Sequence, residues 1–296
     1  GAYTLKSLNL TGGSLNMGGT GSAQALTINT ALTLKNGILI LGHAGALGAT
    51  NSLVVNGKAT LKSTLTNGAY TLKSLNLTGG SLNMGGTGSA QALTINTALT
   101  LGGSLGIDVG TTLDTINYTG TTALTGALTL DVNLIGAANQ AYNFLTSTTG
   151  LVDEATLTLN MLNRGATATT SFSADKKTII ITVANSGSIG NLTWGGTASS
   201  NVWETKGSAP WAGGTEGDNK FYMGDNVTFG STGTKAISIA GQVTPGTIDI
   251  TGNDYVFSGS GSIAGSGAMH INIGGEETNK TVTFNTNNAG YSGAIT

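Results

Sequence analysis

Residues 1–34 read GAYTLKSLNLTGGSLNMGGTGSAQALTINTALTL, and the same 34 letters return at residues 68–101. The two copies part at Lys35 and Gly102, so the repeat has an offset of 67 residues. Identical segments at a fixed offset are typical of stacked architectures, in which each unit packs on its neighbour. The offset divides into about three coils of about 22 residues. It also predicts two equivalent surface patches, one on each copy.

The composition excludes several classes of protein. Glycine supplies 48 of 296 residues and charged residues only 9%, but the hydrophobic content of 39% is too high for a disordered chain. A net charge of −2 argues against a nucleic-acid or anionic-membrane surface. The absence of cysteine removes disulfides, thiol catalysis and thiolate metal sites. Neither an apolar run of membrane-spanning length nor a signal peptide is found, and we expect the chain to be part of a longer array.

Apolar residues alternate with polar ones in short groups, which predicts half-buried strands and almost no helix. The first groups are Tyr3/Leu5, Leu8/Leu10, Leu15/Met17, Leu26/Ile28, Leu32/Leu34, Ile38/Ile40 and Leu53/Val55. Short strands at close spacing permit an antiparallel sandwich or a β-solenoid. The exact repeat and its offset favour the solenoid. So does asparagine expected beside the turns, at Asn9, Asn16, Asn29, Asn36, Asn56 and Asn67.

The character of the sequence changes twice, which predicts three regions. Residues 1–115 carry the repeat, and residues 116–187 continue with longer strands at 126–136, 155–162 and 176–183. The last of these strands places Ile179, Ile181 and Val183 on one face. A junction at 186–191 leads into residues 188–296, a module that contains all three tryptophans.

The last region resembles the passenger regions of bacterial autotransporters. The resemblance rests on Leu192-Thr193-Trp194 with Gly196, on Trp203 and Trp211, and on GDNKFYMGDNVTFG at 217–230. Residues 259–275 and 282–296, with Tyr291-Ser292-Gly293, are similar to the autotransporter-associated β-strand repeat, and residues 36–61 look like another passenger coil. The resemblance implies an all-β, right-handed parallel β-helix (β-solenoid). It also implies export to the bacterial cell surface, with membrane contact only through a C-terminal anchor outside this sequence.

Few residues are candidates for chemistry. His43 and His270 are the only histidines, and we interpret each as a surface or turn residue. Glu216, Asp218 and Asp225 could form a polysaccharide-cleaving site, although a solvated loop is favoured. Residues 213–221 resemble a calcium-binding nonapeptide, but the third glycine comes one position late and there is no tandem copy. The Gly-Asp-Asn triplets at 217–219 and 224–226 indicate Asx turns.

Two further groups have a structural interpretation beside a functional one. Trp194, Trp203 and Trp211 could form an exposed sugar-binding platform, but a buried role at a coil end or module joint is favoured. The lysine pairs Lys58/Lys62 and Lys176/Lys177 are interpreted as charges that protect strand edges from aggregation.

The sequence predicts a non-catalytic protein with no cofactor and no metal. The resemblance to autotransporter passenger regions implies adhesion to a protein or glycan on another surface, or self-association. Repeated faces rich in threonine, serine and asparagine would make such binding multivalent. The alternatives are a structural spacer or filament-forming subunit of an extracellular fibre, and a polysaccharide-active β-helix enzyme.

Overall fold

The computed structural model describes most of the chain. The described ranges are 3–17, 26–42, 51–63, 68–84, 90–150, 152–207, 211–214, 218–252, 254–273, 281–288 and 290–296. Every regular secondary-structure element in these ranges is a β-strand, and none is a helix. Stacked parallel coils form a β-solenoid of about ten turns at a spacing of about 24 residues, which confirms the predicted fold class. No helix suited to crossing a membrane occurs among these residues.

The chain divides into two compact units. Unit 1 contains the described residues up to 186 except 162–166, and unit 2 contains 162–166 and 187–296. The strands of unit 1 are β1 Tyr3–Leu5, β2 Leu8–Leu10, β3 Ser14–Met17, β4 Leu26–Ile28, β5 Leu32–Leu41, β6 Ser52–Ser63, β7 Gly68–Asn76, β8 Ser81–Asn83, β9 Gln91–Thr100, β10 Ser104–Gly110, β11 Thr115–Tyr118, β12 Thr125–Ile135, β13 Ala141–Ser147, β14 Glu154–Met161, β15 Thr167–Phe172 and β16 Thr178–Asn185.

Most strands of unit 1 pair in parallel with the strand one coil further along. Strand β6 pairs with β5 on one edge and with both β7 and β8 on the other. From β6 onward two series of strands run through the coils, β8-β10-β12-β14 and β7-β9-β11-β13. Alternate side chains point inward, so leucine, isoleucine and valine form a continuous core.

The two identical copies adopt the same internal register. Tyr3 pairs with Leu26 as Tyr70 pairs with Leu93, and Leu8 pairs with Leu32 as Leu75 pairs with Leu99. The path from β2 to β7 runs through β5 and β6, which is three coils. The interpretation of the 67-residue offset as three coils is therefore confirmed.

The register changes where the copies diverge. Ser14 pairs with Ile38, but Ser81, the same residue of the second copy, pairs with Ser104. The reason is a difference in length: three residues separate Leu34 from Ile38, whereas only two separate Leu101 from Ser104. In the pairing of β5 with β6, the register shifts between Leu34 and Asn36, where two steps along β5 correspond to the three steps from Val55 to Lys58 along β6. The prediction of two equivalent patches is wrong in this respect, since the same serine has a different neighbour in each copy.

Two other sequence predictions in unit 1 are wrong in detail. The residues buried in the run Ile38–Leu41 are Leu39 and Leu41, while Ile38 and Ile40 are half-buried on the other face. All four residues are apolar, so alternation could not choose the phase. Asn9 and Asn16 lie inside β2 and β3 rather than beside turns.

The lysines do not all occupy strand edges. Lys58 is wrongly predicted to protect an edge, because its strand is paired on both sides, with Asn36 of β5 and Ser81 of β8. Lys176 and Lys177 lie in the turn between β15 and β16, and Lys176 forms an ion pair with Asp153 at 2.8 Å.

An antiparallel hairpin ends the strand order of unit 1. Strand β16 pairs antiparallel with β13 and with β15. Ile179, Ile181 and Val183 of β16 are buried on one face, as predicted. The strand was predictable from its alternation, but its antiparallel direction was not, since a period of two is common to both kinds of pairing.

Unit 2 is a second solenoid segment. Its strands are β17 Asn191–Trp194, β18 Val202–Trp203, β19 Trp211–Ala212, β20 Asn226–Phe229, β21 Ala236–Ile239, β22 Gln242–Val243, β23 Ile248–Ile250, β24 Tyr255–Ser258, β25 Ser262–Ile263, β26 Met269–Ile271 and β27 Val282–Phe284. They form three sheets with the orders β19-β17-β20-β23-β26, β18-β21-β24-β27 and β22-β25. All pairs are parallel except β17 with β19.

Aromatic rings fill the core of unit 2. Trp194, Trp203 and Trp211 are at most 2% exposed and pack around Phe229. Trp194 also donates its indole N–H to the carbonyl oxygen of Thr234 at 3.0 Å. The prediction that the tryptophans are buried is confirmed, and an exposed sugar platform built from them is wrong.

Candidate interaction surface

The outward face of β8, β10, β12 and β14 carries polar side chains in columns. The first column contains hydroxyl groups from successive coils, and the registers that define it pair Ser81 with Ser104, Ser104 with Thr129, and Thr129 with Thr158. These residues are half-buried or exposed. Because paired strands lie about 4.8 Å apart, the column presents one hydroxyl group per coil at that spacing.

A second column lies beside the first, two residues further along each strand. It consists of Asn83, Gly106, Asp131 and Asn160. The Asn160 amide donates to the Asp131 carboxylate at 2.7 Å, and Ser104 Oγ donates to Ser81 Oγ at 2.7 Å in the first column. Hydrogen bonds between coils therefore fix the side chains of one pair in each column, Ser81 with Ser104 and Asp131 with Asn160, before any ligand binds.

The other strand series carries a comparable column. Thr71 pairs with Thr94, Thr94 with Asn117, and Asn117 with Thr146 on the outward face of β7, β9, β11 and β13. Apart from the Asp131 carboxylate of the second column, unit 1 thus presents uncharged hydroxyl and amide groups on two strand series. These groups can donate and accept hydrogen bonds, so the columns suit a polar ligand of low charge.

A buried carboxyl pair includes Asp108, which lies two residues beyond Gly106 of the second column on the same strand. Asp108 and Asp114 are both 0% exposed. Asp114 accepts hydrogen bonds from the backbone N–H groups of Gln91 and Asp108, each at 2.8 Å, and Asn133 donates to Asp108 at 2.8 Å. Burial, followed by repulsion from Asp108, raises the pKa of Asp114 well above its usual range. The pair has no access to solvent and links the coils internally.

The acidic residues suggested for polysaccharide cleavage form an ion-pair cluster in unit 2. Arg164 is the only arginine of the chain and is 0% exposed. Its Nη2 lies 2.8 Å from Asp225 Oδ2, its Nε 3.2 Å from Asp225 Oδ1, and its Nη1 3.1 Å from Asp218 Oδ1. Glu216 lies outside the described residues.

Both carboxylates of the cluster are occupied by protein donors. Asp225 also accepts the backbone N–H groups of Gly190 and Tyr222, at 2.7 and 2.9 Å. Although burial raises the pKa of Asp218, hydrogen bonds from Tyr222, Lys220 and Arg164 lower it overall. A carboxylate with a lowered pKa is a poor general acid at neutral pH. This geometry suits a structural clamp.

The same contacts bear on the calcium-like segment. Asp218 accepts a hydrogen bond from the backbone N–H of Lys220 at 3.2 Å, which confirms the predicted Asx turn there. Its other oxygen accepts the Tyr222 hydroxyl at 2.7 Å. Among the described residues, no three histidine or acidic side chains are grouped closely enough to hold a metal ion.

His270 lies on an exposed strand position, in agreement with its interpretation as a surface residue. Its Nδ1 is 2.8 Å from Asp249 Oδ1, and both side chains are about half exposed. The pair is formed by the register of β23 with β26, which places the two residues side by side. His43 lies outside the described residues.

Sequence reasoning missed Arg164, the buried carboxyl pair and the exact columns. The uniqueness of Arg164 was a signal, since a single guanidinium in a weakly charged chain is a natural partner for buried acids. The contacts of Asn133 with Asp108 and of Asn160 with Asp131 can be predicted only when the register between coils is known, and the sequence leaves that register open after residue 101. No protein-family model, curated protein or solved structure matches the chain.

Proposed function

We propose that this chain is part of an exported bacterial surface protein that acts in adhesion or self-association. Its solenoid presents repeated polar columns to a glycan or protein on another surface, or to a second copy. The proposal places the protein outside the cell, gives it no catalytic role and requires neither a cofactor nor nucleic acid. The sequence motifs that resemble autotransporter passenger regions support the location.

The hydroxyl column at Ser81, Ser104, Thr129 and Thr158 carries the proposal. A column with one group per coil offers a ligand several identical contacts at a spacing of about 4.8 Å. Each hydrogen bond to solvent-accessible groups contributes little by itself. Several contacts on one scaffold, however, raise the effective local concentration and increase the avidity for a repetitive ligand.

The catalytic alternative receives no support from the cluster of acids in unit 2. Asp225 is fully buried, and Asp218 is engaged by Arg164 and Tyr222. A glycosidase needs two carboxyl groups that can reach the substrate from opposite sides of its scissile bond. These two carboxylates instead converge on one buried guanidinium.

The test compares beads that display the full chain with beads that display a column variant. Thr129→Arg with Thr158→Arg places two bulky charges in the hydroxyl column. Ser231→Arg with Thr232→Arg adds the same charges to exposed turn positions of unit 2 and serves as the matched control. Circular dichroism first establishes that both variants remain folded.

The readouts are clumping of the beads with one another and their binding to glycan arrays and epithelial cells. We expect the wild type and the control to clump or bind, and the column variant to lose most of this binding. Failure of the wild type to clump or bind any surface would overturn the adhesive function. Equal binding by the column variant would overturn the assignment of the site.

A further inference from the structure

Within the described residues, strand β15 has a strand neighbour on one side only. It pairs antiparallel with β16 and stands last in the strand order of its sheet. Its sequence, TATTSF at Thr167–Phe172, contains no charged residue and no proline. Charges and prolines are common means by which edge strands avoid pairing with another chain. The side of β15 that faces away from β16, called the β15 edge below, is therefore suited to accept a further strand.

The hydrogen bonds of the hairpin show which backbone groups point toward this edge. Just after β15, Ser173 donates its backbone N–H to the carbonyl oxygen of Thr178 at 2.9 Å, so the backbone groups of Ser173 face β16. In an antiparallel pair, the residues that exchange hydrogen bonds with the neighbouring strand alternate with residues that do not. The register of β15 with β16 is regular from residue 168 to residue 172. The residues whose N–H and C=O groups point toward the β15 edge are therefore Ala168, Thr170 and Phe172.

The side chains of these three residues lie on the same face as the buried side chains of β16. Their cross-strand neighbours, each at most 2% exposed, are Val183, Ile181 and Ile179. Ala168 and Thr170 are half-buried, and Phe172 is 37% exposed. The buried face of β16 thus continues onto β15 but is only partly covered there. A strand added at the β15 edge would cover it further.

We propose that the β15 edge binds the β15 edge of a second copy of this chain, as an antiparallel pair with two-fold symmetry. The symmetry axis passes beside Thr170, so that Thr170 lies opposite Thr170 of the second copy and Ala168 lies opposite Phe172. In this register every outward N–H and C=O group of the two strands has a partner. Residues opposite each other come from the same face, so the partly covered face is continuous across the pair.

Two features of the hairpin favour a second copy as the occupant. The exposed ring of Phe172 comes to lie beside the small side chain of Ala168, so a large residue meets a small one on both sides of the axis. The turn after β15 carries Asp175, Lys176 and Lys177, and the antiparallel arrangement puts the turns of the two copies at opposite ends of the joined sheet. A parallel pair would instead place like charges side by side. This site is separate from the outward columns of the proposed function.

Disulfide formation between two cysteine variants tests the register, because the chain contains no cysteine. The proposed pairing places Thr169 of one copy opposite Ser171 of the other, and both side chains are exposed. The Cα atoms of such a pair, which exchanges no hydrogen bond, lie about 4.5 Å apart, within the range that a disulfide spans. Two copies of Thr169, or two copies of Ser171, are diagonal neighbours about 7–8 Å apart, which is beyond that range.

The experiment mixes the full chain carrying Thr169→Cys with the full chain carrying Ser171→Cys, one of them with a tag that distinguishes it by size. The mixed disulfide should form at least about ten times faster than either disulfide between identical chains, because pairing raises the local concentration of the matched thiols alone. Equal rates would show random collision, and faster joining of identical chains would show another register or direction. Either result overturns the proposal.

A proline variant tests the hydrogen bonds of the edge in analytical ultracentrifugation. Thr170→Pro removes an N–H that points toward the edge and no hydrogen bond to β16, so it should abolish the dimer that we expect of the wild type. The matched control is Ala174→Pro, which should leave the dimer intact. Ala174 is the second residue of the turn in which Lys176 donates its N–H to Ser173, a position that favours proline. Circular dichroism establishes that both variants are folded.

Two outcomes of this experiment would also overturn the proposal. The first is a wild type that stays monomeric at the concentration used for cross-linking, and the second is a folded Thr170→Pro chain that dimerises as the wild type does. If Thr170→Pro unfolds the chain, the cysteine pair decides. The column variant Thr129→Arg with Thr158→Arg leaves β15 unchanged and should still dimerise, so this proposal and the adhesive function fail separately.

Discussion

The Arg164 clamp allows a quantitative prediction, because one side chain neutralises a carboxylate that is completely buried. Arg164→Met keeps much of the side-chain volume but removes the guanidinium, which leaves Asp225 charged, 0% exposed and without its two bonds of 2.8 and 3.2 Å. Breaking a buried ion pair by removing one partner costs about 3–5 kcal/mol. With a urea dependence of about 1–3 kcal/mol per M, the unfolding midpoint of unit 2 should fall by about 1 M or more.

Tryptophan fluorescence measures this effect locally, since all three tryptophans lie in unit 2 and are buried. Arg164→Met combined with Asp225→Asn should cost less than Arg164→Met alone, because no unpaired charge remains. The matched control is Asp153→Asn, which breaks the exposed pair with Lys176 at the same 2.8 Å distance and should leave the tryptophan transition unchanged. A midpoint for Arg164→Met equal to that of the wild type would refute the clamp.

Three further predictions concern the core and the coil contacts. Folding raises the pKa of Asp114, so the free energy of unfolding should fall as pH rises from about 4 through the folded pKa. Asp108→Asn removes the neighbouring carboxyl group and should make this fall smaller, as measured by urea unfolding followed by circular dichroism. Asp131→Asn is the control and should leave the fall unchanged. Leu72→Ala should lower the free energy of unfolding by about 2–5 kcal/mol, because Leu72 is fully buried. Leu5→Ala changes the same position of the other copy and should cost clearly less, because Leu5 is 39% exposed. Equal costs would contradict the burial of the second copy. A methyl group on Gly267 would overlap the carbonyl oxygen of Gly246, so Gly267→Ala should lower the tryptophan-detected midpoint by the equivalent of about 1–3 kcal/mol, whereas Gly230→Ala, with open space around it, should not.

The stacked fold was predictable because an exact repeat and a two-residue period are both properties of the sequence. The predicted strands at 126–136 and 155–162 correspond to Thr125–Ile135 and Glu154–Met161. The phase of Ile38–Leu41 was not predictable, since four consecutive apolar residues fit either face. In the structure, β5 pairs Ile38 with Thr60 and Leu39 with Leu61, after a register shift between Leu34 and Asn36.

The candidate surface was predictable in composition but not in arrangement. Threonine, serine and asparagine were expected on the outward faces, and the columns contain them. The length of each coil decides which residues share a column. This length differs between coils, as the sequence separation of Ser81 from Ser104 differs from that of Thr129 from Thr158. Sequence-distant contacts such as Arg164 with Asp225 depend on the same folded geometry and carry no local pattern.

The proposed function depends on the claim that outward side chains form columns with one residue per coil. Nitroxide labels on the double variant Thr71→Cys with Thr146→Cys measure this directly, because the native chain has no competing thiol. The registers place these residues three strand spacings apart, through Thr94 and Asn117, which corresponds to about 14 Å between Cα atoms. Stacked coils in this register should give strong dipolar broadening at a label separation close to this value, and labels without measurable dipolar coupling would rule the columns out.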